Sequence, residues 1–327
     1  MPELTSIGVF TSGGDSPGMN ACIRAVVRTA VARGLSVHGI RRGYEGMIEG
    51  DVVELDRNSV SSIIQMGGTI LKSARSERFM TEAGRAEAAG RLTSAGIEGL
   101  VAIGGDGTMR GAQALYLEHG IPCVGCPGTI DNDLFGTDET IGFDTALNTA
   151  LANIDRIRDT ADAHNRLFLV EVMGRDSGFI ALHSGLGGGA ELVLIPETLT
   201  SMSEVKSRIH TLMSEHLRSS IVVVAEGDEL GGAGEIAEAL RKDPLFARID
   251  LRICILGHTQ RGGSPTAKDR VLASRVGKAA VDALLRGETC ALAGVVNDQV
   301  VYTPFDVVSQ RRMTVKAELM QLSELLA

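Results

Sequence analysis

Short apolar runs alternate along this chain with segments of helical period, and each run breaks off into a turn rich in glycine and polar residues. Ile7 to Phe10 leads into Thr11-Ser12-Gly13-Gly14-Asp15-Ser16-Pro17-Gly18, and Leu100 to Ile103 into Gly104-Gly105-Asp106-Gly107-Thr108. Cys123 to Cys126 leads into Pro127-Gly128-Thr129-Ile130-Asp131-Asn132-Asp133. Later, Leu167 to Val172 runs into Met173-Gly174-Arg175-Asp176-Ser177-Gly178, Ile221 to Ala225 into Glu226-Gly227, and Arg252 to Leu256 into Gly257-His258-Thr259-Gln260-Arg261-Gly262-Gly263. Between the first runs, Cys22, Ile23, Val26, Val27, Ala30 and Val31 mark one apolar stripe of a helix from about Asn20 to Arg33. The alternation predicts an α/β protein with mostly parallel sheets. Its polar residues fall just past the carboxyl ends of the strands, where open α/β sheets hold ligands. One such turn is weak evidence; the repetition makes a site.

With 327 residues, 44% of them hydrophobic, the chain can bury a large core and should divide into two domains. No apolar run reaches the roughly 18 residues of a spanning helix, and Met1-Pro2-Glu3 passes into a strand without a signal-type segment, so the expectation is a cytoplasmic protein with no membrane partner. A net charge of -9 argues against nucleic acid as a bulk partner, so any anion site must be built from specific arginines. Cys123 and Cys126 spell a C-x-x-C on a strand, where residues three apart face opposite sides; packing accounts for them better than redox or zinc chemistry. Asp228 to Gly234 reads as a surface loop.

The turns carry the chemistry. In extended backbone residues i and i+2 face the same way, so Asp131 and Asp133 can share a cleft, one as a base and one near a metal; the alternative is a solvated Asx-rich turn. Glycines allow backbone N–H groups close to phosphate, which makes Gly13-Gly14 and Gly105 to Thr108 candidate phosphate cradles. A carboxylate among them, Asp106, is paradoxical unless a cation such as Mg²⁺ stands between it and the phosphates. Neither G-x-x-x-x-G-K-[ST] nor a G-x-G-x-x-G after the first strand occurs, which disfavours P-loop NTPases and dinucleotide dehydrogenases. An acidic metal site, paired carboxylates and strand-end arginines such as Arg75 and Arg175 fit phosphoryl transfer, with Asp131 as base.

From Ile7 almost to its end the chain resembles the bacterial 6-phosphofructokinases. The likeness rests on Thr11 to Asp15 with Pro17 to Asn20, Ser73-Ala74-Arg75, Gly104 to Gly107, Pro127 to Asp133, Glu171 to Arg175 and Gly257 to Pro265, in family order and at family spacing. It implies two similar three-layer α/β/α domains with the active site in the cleft between them. The nucleotide domain would be residues 1–142 plus about 256–305, and the sugar-phosphate domain 143–255 plus about 306–327. It implies Mg²⁺-dependent transfer of the ATP γ-phosphoryl group to the 1-hydroxyl of fructose 6-phosphate in glycolysis. Asp131 matches the proton acceptor, with Thr129 and Asp133 beside it and Arg75 and Arg175 neutralising the moving group; Asp106 matches the magnesium ligand. Gly14, Tyr44, Arg75, Ser76, Gly105, Gly107 and Thr108 match nucleotide contacts. Thr129, Ile130, Arg166, Met173, Gly174, Arg175, Glu226, Arg252, His258, Thr259, Gln260 and Arg261 match sugar-phosphate contacts. Arg166 and Arg252 would reach the site of a neighbouring subunit, which implies a homotetramer.

Pyrophosphate-using relatives typically carry an aspartate after the Gly-Gly-Asp and a lysine before the Thr-Ile-Asp. Gly107 and Gly128 hold those places here, so ATP is the expected donor, with pyrophosphate as the alternative. Arg24, Arg28, Arg57, Arg158 and Glu191 match an effector site for ADP or phosphoenolpyruvate. Asn58 stands where an aromatic often stacks, and Glu215-His216-Leu217-Arg218 replaces a lysine-rich segment, so blunted allostery is expected. A catalytically silent nucleotide-binding subunit would have lost its base or metal acid, yet Asp131 and Asp106 are present. Lipid and NAD kinases share the Gly-Gly-Asp-Gly-Thr turn but lack the Thr-Ile-Asp-Asn-Asp and His-Thr-Gln-Arg-Gly-Gly elements.

Overall fold

The computed structural model describes residues 4–164, 166–214, 220–247 and 249–327. Met1 to Glu3 and the segment Glu215 to Arg218, which enter the expectations above, lie outside the described residues. In chain order the elements are β1 (Ser6–Ser12), α1 (Met19–Ala32), β2 (Ser36–Ile40), α2 (Gly43–Glu49), β3 (Val52–Glu54), α3 (Glu82–Ser94), β4 (Gly99–Gly104), α4 (Asp106–His119) and β5 (Cys123–Pro127). They continue through α5 (Phe143–His164), β6 (Leu167–Val172), α6 (Phe179–Gly187), β7 (Leu192–Leu194), α7 (Met202–Ser214), β8 (Ser220–Ala225), α8 (Ala233–Arg241) and β9 (Leu251–Ile255). A short 3₁₀ turn (Gly257–Arg261), α9 (Ala267–Leu285), β10 (Ala291–Val296), β11 (Gln299–Pro304), α10 (Phe305–Gln310) and α11 (Ala317–Leu326) complete the chain.

Two compact units result. The first holds residues up to Ile130, Leu134–Thr145 and Arg261–Met313. Its seven-stranded sheet has the order β11-β10-β5-β4-β1-β2-β3, parallel except at its two margins. Alternate residues of the central strands feed two cores. Ile7, Val9, Val101, Ile103, Val124 and Cys126 pack on α1 and α9 through Ile23, Val26, Val276 and Ala280. Phe10, Leu100, Ala102 and Cys123 pack on the opposite side against Tyr44, Leu92, Met109 and Phe305. The two C-x-x-C thiols therefore belong to different cores, as strand alternation requires, and both are raised in pKa, Cys126 by a hydrogen bond to Cys22 and then by burial, Cys123 by burial. Each fully buried Val, Leu, Ile or Phe contributes about 1.5–3 kcal/mol, so these strands are buried on both faces and read as continuous apolar runs.

The second unit holds Asp131–Asp133, Ala146–Gln260 and Thr314–Ala327. Its smaller sheet, order β7-β8-β6-β9, is parallel throughout. Leu169, Val222 and Val224 pack on Val205, Ile209, Ile236 and Leu240 from α7 and α8. Strand β9 is an edge of the sheet and exposes Arg252, Ile253 and Ile255.

One local expectation is corrected. The stretch from Asp228 to Gly234 is not simply a surface loop, because α8 starts at Ala233 and Asp228 is buried at 6% exposure. A Cβ at Gly227 would lie 1.8 Å from the Arg175 carbonyl oxygen, so the backbone tucks under the Arg175 turn and carries Asp228 inward. Among the described residues both units carry a mostly parallel sheet, of seven strands in the first and four in the second.

Candidate active site

In the first unit, the carboxyl ends of β1, β2, β4 and β5 supply neighbouring loops. Strand β4 passes directly into α4, with Gly105 as the residue before the helix. A Cβ on Gly104 would lie 2.3 Å from Thr108 Oγ1 and 2.5 Å from the Ser12 carbonyl oxygen, so only glycine permits this approach. Thr108 is buried, and its hydroxyl donates to that Ser12 carbonyl at 3.1 Å. Asp106 opens α4, where the unpaired backbone N–H groups and the helix dipole favour anionic groups. Its Oδ2 meets Arg110 at 2.6 Å, whereas its buried Oδ1 has no hydrogen-bond partner. A buried carboxylate oxygen with an open valence fits a hard cation. Mg²⁺ commonly takes one or two protein carboxylates and completes its shell with phosphates and water. Gly107 follows, and a Cβ there would meet nothing within 4 Å.

The Ser73 hydroxyl donates to the Gly13 carbonyl at 2.5 Å and draws the loop of exposed Arg75 toward the Gly13-Gly14 turn. Two residues set that loop's course. Asn20 donates to the carbonyls of Met66 and Gly67 and accepts from Ile70, while the Thr11 hydroxyl donates to Lys72 O at 2.8 Å. Sequence reasoning passed over both, because their partners lie far along the chain. Ser76 and Arg78 bind Glu45 at 2.5 and 3.0 Å, and the Ser76 bond leads the effects that lower the Glu45 pKa. Tyr44 is buried, stacks on Phe79 at 3.9 Å between centroids, and donates its hydroxyl to Thr108 O at 2.5 Å. Buried and hydrogen-bonded in this way, Tyr44 supports the first turn of α4 and presents no open face. Arg261 lies over Gly14, where a Cβ would be 2.6 Å from Nη1, and donates to Asp15 O at 3.2 Å. Within the first unit, Arg261 thus stands beside the Gly14 loop. The Thr129 carbonyl accepts from Thr140 at 2.6 Å, and Ile130 is fully buried.

In the second unit, Asp131 and Asn132 are buried at 6% and 4% exposure, and Asn132 has φ +54°. The extended-backbone argument for Asp131 and Asp133 therefore does not apply: the left-handed Asn132 breaks the alternation between them. Following β6, Met173 donates its N–H to buried Gln260 at 3.4 Å. Glu226, at the end of β8, accepts from the N–H groups of Gly174 (3.3 Å) and Arg175 (2.8 Å). Arg175, at φ +53°, is exposed. Ser177, absent from the expected set, donates its hydroxyl to the Asp131 carbonyl at 2.9 Å. His258 and Thr259 are exposed, and the Thr259 hydroxyl donates to Leu256 O. Arg166, just before β6, and Arg252, on the neighbouring strand β9, each place Nε 2.7 Å from Asp250, and these hydrogen bonds, Arg166's first, hold its carboxyl below the usual range.

Of the expected effector residues, Arg158 pairs with Glu191 at 3.0 Å and donates to the carbonyls of Gly188 and Gly189. Arg24 and Arg28 are half-buried on α1, with Arg28 Nε buried and unpartnered, and Arg57 and Asn58 are exposed.

Comparison with known proteins gives consistent matches. The phosphofructokinase family model matches residues 6–284. The ATP-dependent 6-phosphofructokinase 1 of Thermus thermophilus is 57% identical over 324 residues, covering 99% of this chain and all of that relative. A phosphofructokinase structure from Saccharomyces cerevisiae superposes with TM-score 0.89 at 34% identity; it covers 98% of this chain, which spans half of the yeast one. A pyrophosphate-dependent phosphofructokinase structure from Marinobacter aquaeolei has TM-score 0.86 at 21% identity, covering 99% of this chain and 91% of that one, and shows the shared fold alone.

Proposed function

The chain belongs to the phosphofructokinase family, and from that membership we propose how its own residues divide the work of an ATP-dependent 6-phosphofructokinase. The enzyme transfers the γ-phosphoryl group of ATP to the 1-hydroxyl of fructose 6-phosphate, giving fructose 1,6-bisphosphate and ADP in glycolysis. The observation that carries this is the full-length match at 57% identity to a relative named for that activity.

Asp131 takes the proton of the acceptor hydroxyl. In a loose transition state that proton leaves late, so the base's main task is alignment. Thr129 and Ile130 deliver the chain to it, and Asp133 adds to the local charge. Arg175 and Arg75 stabilise negative charge on the moving group as it develops. Met173, Gly174, Glu226, His258, Thr259 and Gln260 shape the sugar-phosphate side, and Gly14, Ser76, Gly105, Gly107 and Thr108 the nucleotide side. Asp106, through its unpartnered Oδ1, would hold Mg²⁺, which would supply neutralisation of phosphate charge. The nucleotide residues and the seven-stranded sheet form the donor domain, and the four-stranded unit forms the acceptor domain.

The donor assignment draws on two glycines. At Gly107 an open position leaves room without charge. At Gly128 a Cβ would already lie 3.0 Å from Ile103 Cγ2 and 3.1 Å from Met19 Cε, which opposes the lysine of pyrophosphate users. A coupled assay with Mg²⁺ and fructose 6-phosphate tests the assignment: turnover is expected with ATP, and turnover only with pyrophosphate would overturn it.

The same reading makes the enzyme a cytoplasmic homotetramer in which Arg166 and Arg252 serve a neighbour's sugar phosphate. In support, β9 is an edge strand on which both Arg252 and Ile255 are exposed, Ile255 to 60%. Mixing inactive Asp131→Asn and Arg252→Ala subunits should restore part of the activity through hybrid sites. Arg24, Arg28, Arg57, Arg158 and Glu191 make up a weakened effector site, and hyperbolic sugar-phosphate kinetics insensitive to ADP are expected.

A further inference from the structure

Two turns that each contain a left-handed residue meet at one buried hydrogen bond. The first contains Asp131 and the left-handed Asn132. The second runs from Gly174, at φ +147°, through Arg175, at φ +53°, to Ser177. It closes on itself: Ser177 N–H donates to Gly174 O at 3.0 Å, and a Cβ on Gly174 would lie 2.3 Å from Ser177 O. Glu226 fixes its other side by accepting from Gly174 and Arg175. The Ser177 hydroxyl then donates to the Asp131 backbone carbonyl at 2.9 Å, with both residues at least nine-tenths buried. A left-handed arginine, unlike a left-handed asparagine, persists only where its surroundings over-determine it.

We propose that Ser177 is a positioning residue for the reaction: its hydroxyl ties the backbone of the base to the sugar-phosphate turn, so that engagement of Gly174 and Arg175 sets where the Asp131 carboxylate points. The proposal rests on Asp131 being the base. The hydroxyl donates to the backbone carbonyl of Asp131, so its contribution is alignment. A small displacement of a reacting group has large kinetic effects, up to about 100-fold for ~1 Å.

The test is a set of substitutions with kcat and KM measured separately for each substrate. Ser177→Ala removes the donor, Ser177→Cys keeps nearly the same size with a poor donor, and Ser177→Thr keeps the hydroxyl. For Ala and Cys, kcat is expected to fall on the order of tenfold, with KM for ATP within about twofold of the parent, while Thr retains clearly more kcat than either. Parental kcat in Ala or Cys overturns the proposal, as does an equal loss in all three. Should the alanine variant fail to fold, the near-isosteric cysteine variant decides. Asp131→Asn, measured alongside, should fall about 10²–10⁴-fold. Retained activity there would remove the base assignment itself, which is distinct from a Ser177→Ala variant that behaves as the parent while Asp131→Asn is dead.

Discussion

Gly107→Asp isolates the charge argument for the phosphoryl donor. Gly107 is the second residue of α4, and a Cβ there meets nothing within 4 Å, so the substitution forces no repacking. An acidic residue in the first turn of a helix gains about 0.3–1 kcal/mol from the dipole, and replacing a helical glycine removes unfolded-state entropy, so stability should hold or rise. The nucleotide should suffer. A second carboxylate beside Asp106, about 5 Å from an ATP phosphate at an effective dielectric near 20, repels it by about 3 kcal/mol. That corresponds to a loss in kcat/KM for ATP on the order of 10²-fold.

The assay is steady-state kinetics with ATP varied at saturating fructose 6-phosphate, beside a thermal unfolding scan. Gly107→Asn supplies the same shape without the charge and should lose far less than Asp; Gly107→Ala should stay near the parent. Unchanged ATP kinetics in a folded Asp variant would refute the reasoning. So would an asparagine variant as impaired as the aspartate one, since bulk and not charge would then be responsible.

Other substitutions probe the supports of the site. Tyr44→Phe removes the bond to the Thr108 carbonyl and should destabilise by about 1 kcal/mol, read as a lowered unfolding midpoint. Because burial pushes the Tyr44 hydroxyl well up in pKa, it remains a donor, and the deficit should be the same at pH 6 and pH 9. Asp228 is raised in pKa by burial, and its Oδ2 has no partner. The folded state therefore binds its proton more tightly than the unfolded state, and stability is lost as pH rises from the unfolded value of 3.8 through the raised folded value. Asp228→Asn should accordingly be most stabilising at neutral pH, with an advantage that shrinks toward pH 4; an advantage that grows on acidification would contradict the sign. Gly128→Ala presses a methyl group to 3.0 Å from Ile103 and 3.1 Å from Met19, and should cost about 1–3 kcal/mol in a denaturation titration.

What could be read from the chain follows the range of the forces involved. The strands were legible because burial on both sheet faces writes continuous apolar runs. The loops were legible because close approaches of the backbone need glycine at particular steps, as Gly104 shows through its 2.3 Å approach to Thr108 Oγ1. Local patterns also resolved Cys123 and Cys126, whose opposite faces follow from strand alternation alone. Long-range pairings leave no such mark. Asn20 clamps a loop 46 to 50 residues away, and the Ser177 hydroxyl meets a carbonyl 46 residues back. Nothing in a serine among polar neighbours announces that partner. The extended-strand argument for Asp131 and Asp133 went astray for a related reason: asparagine adopts left-handed backbone at little cost, and the choice at Asn132 is made by the tertiary contacts around it. The residue types at the candidate site were thus visible in sequence, whereas the backbone conformation that aims them is a property of the assembled unit.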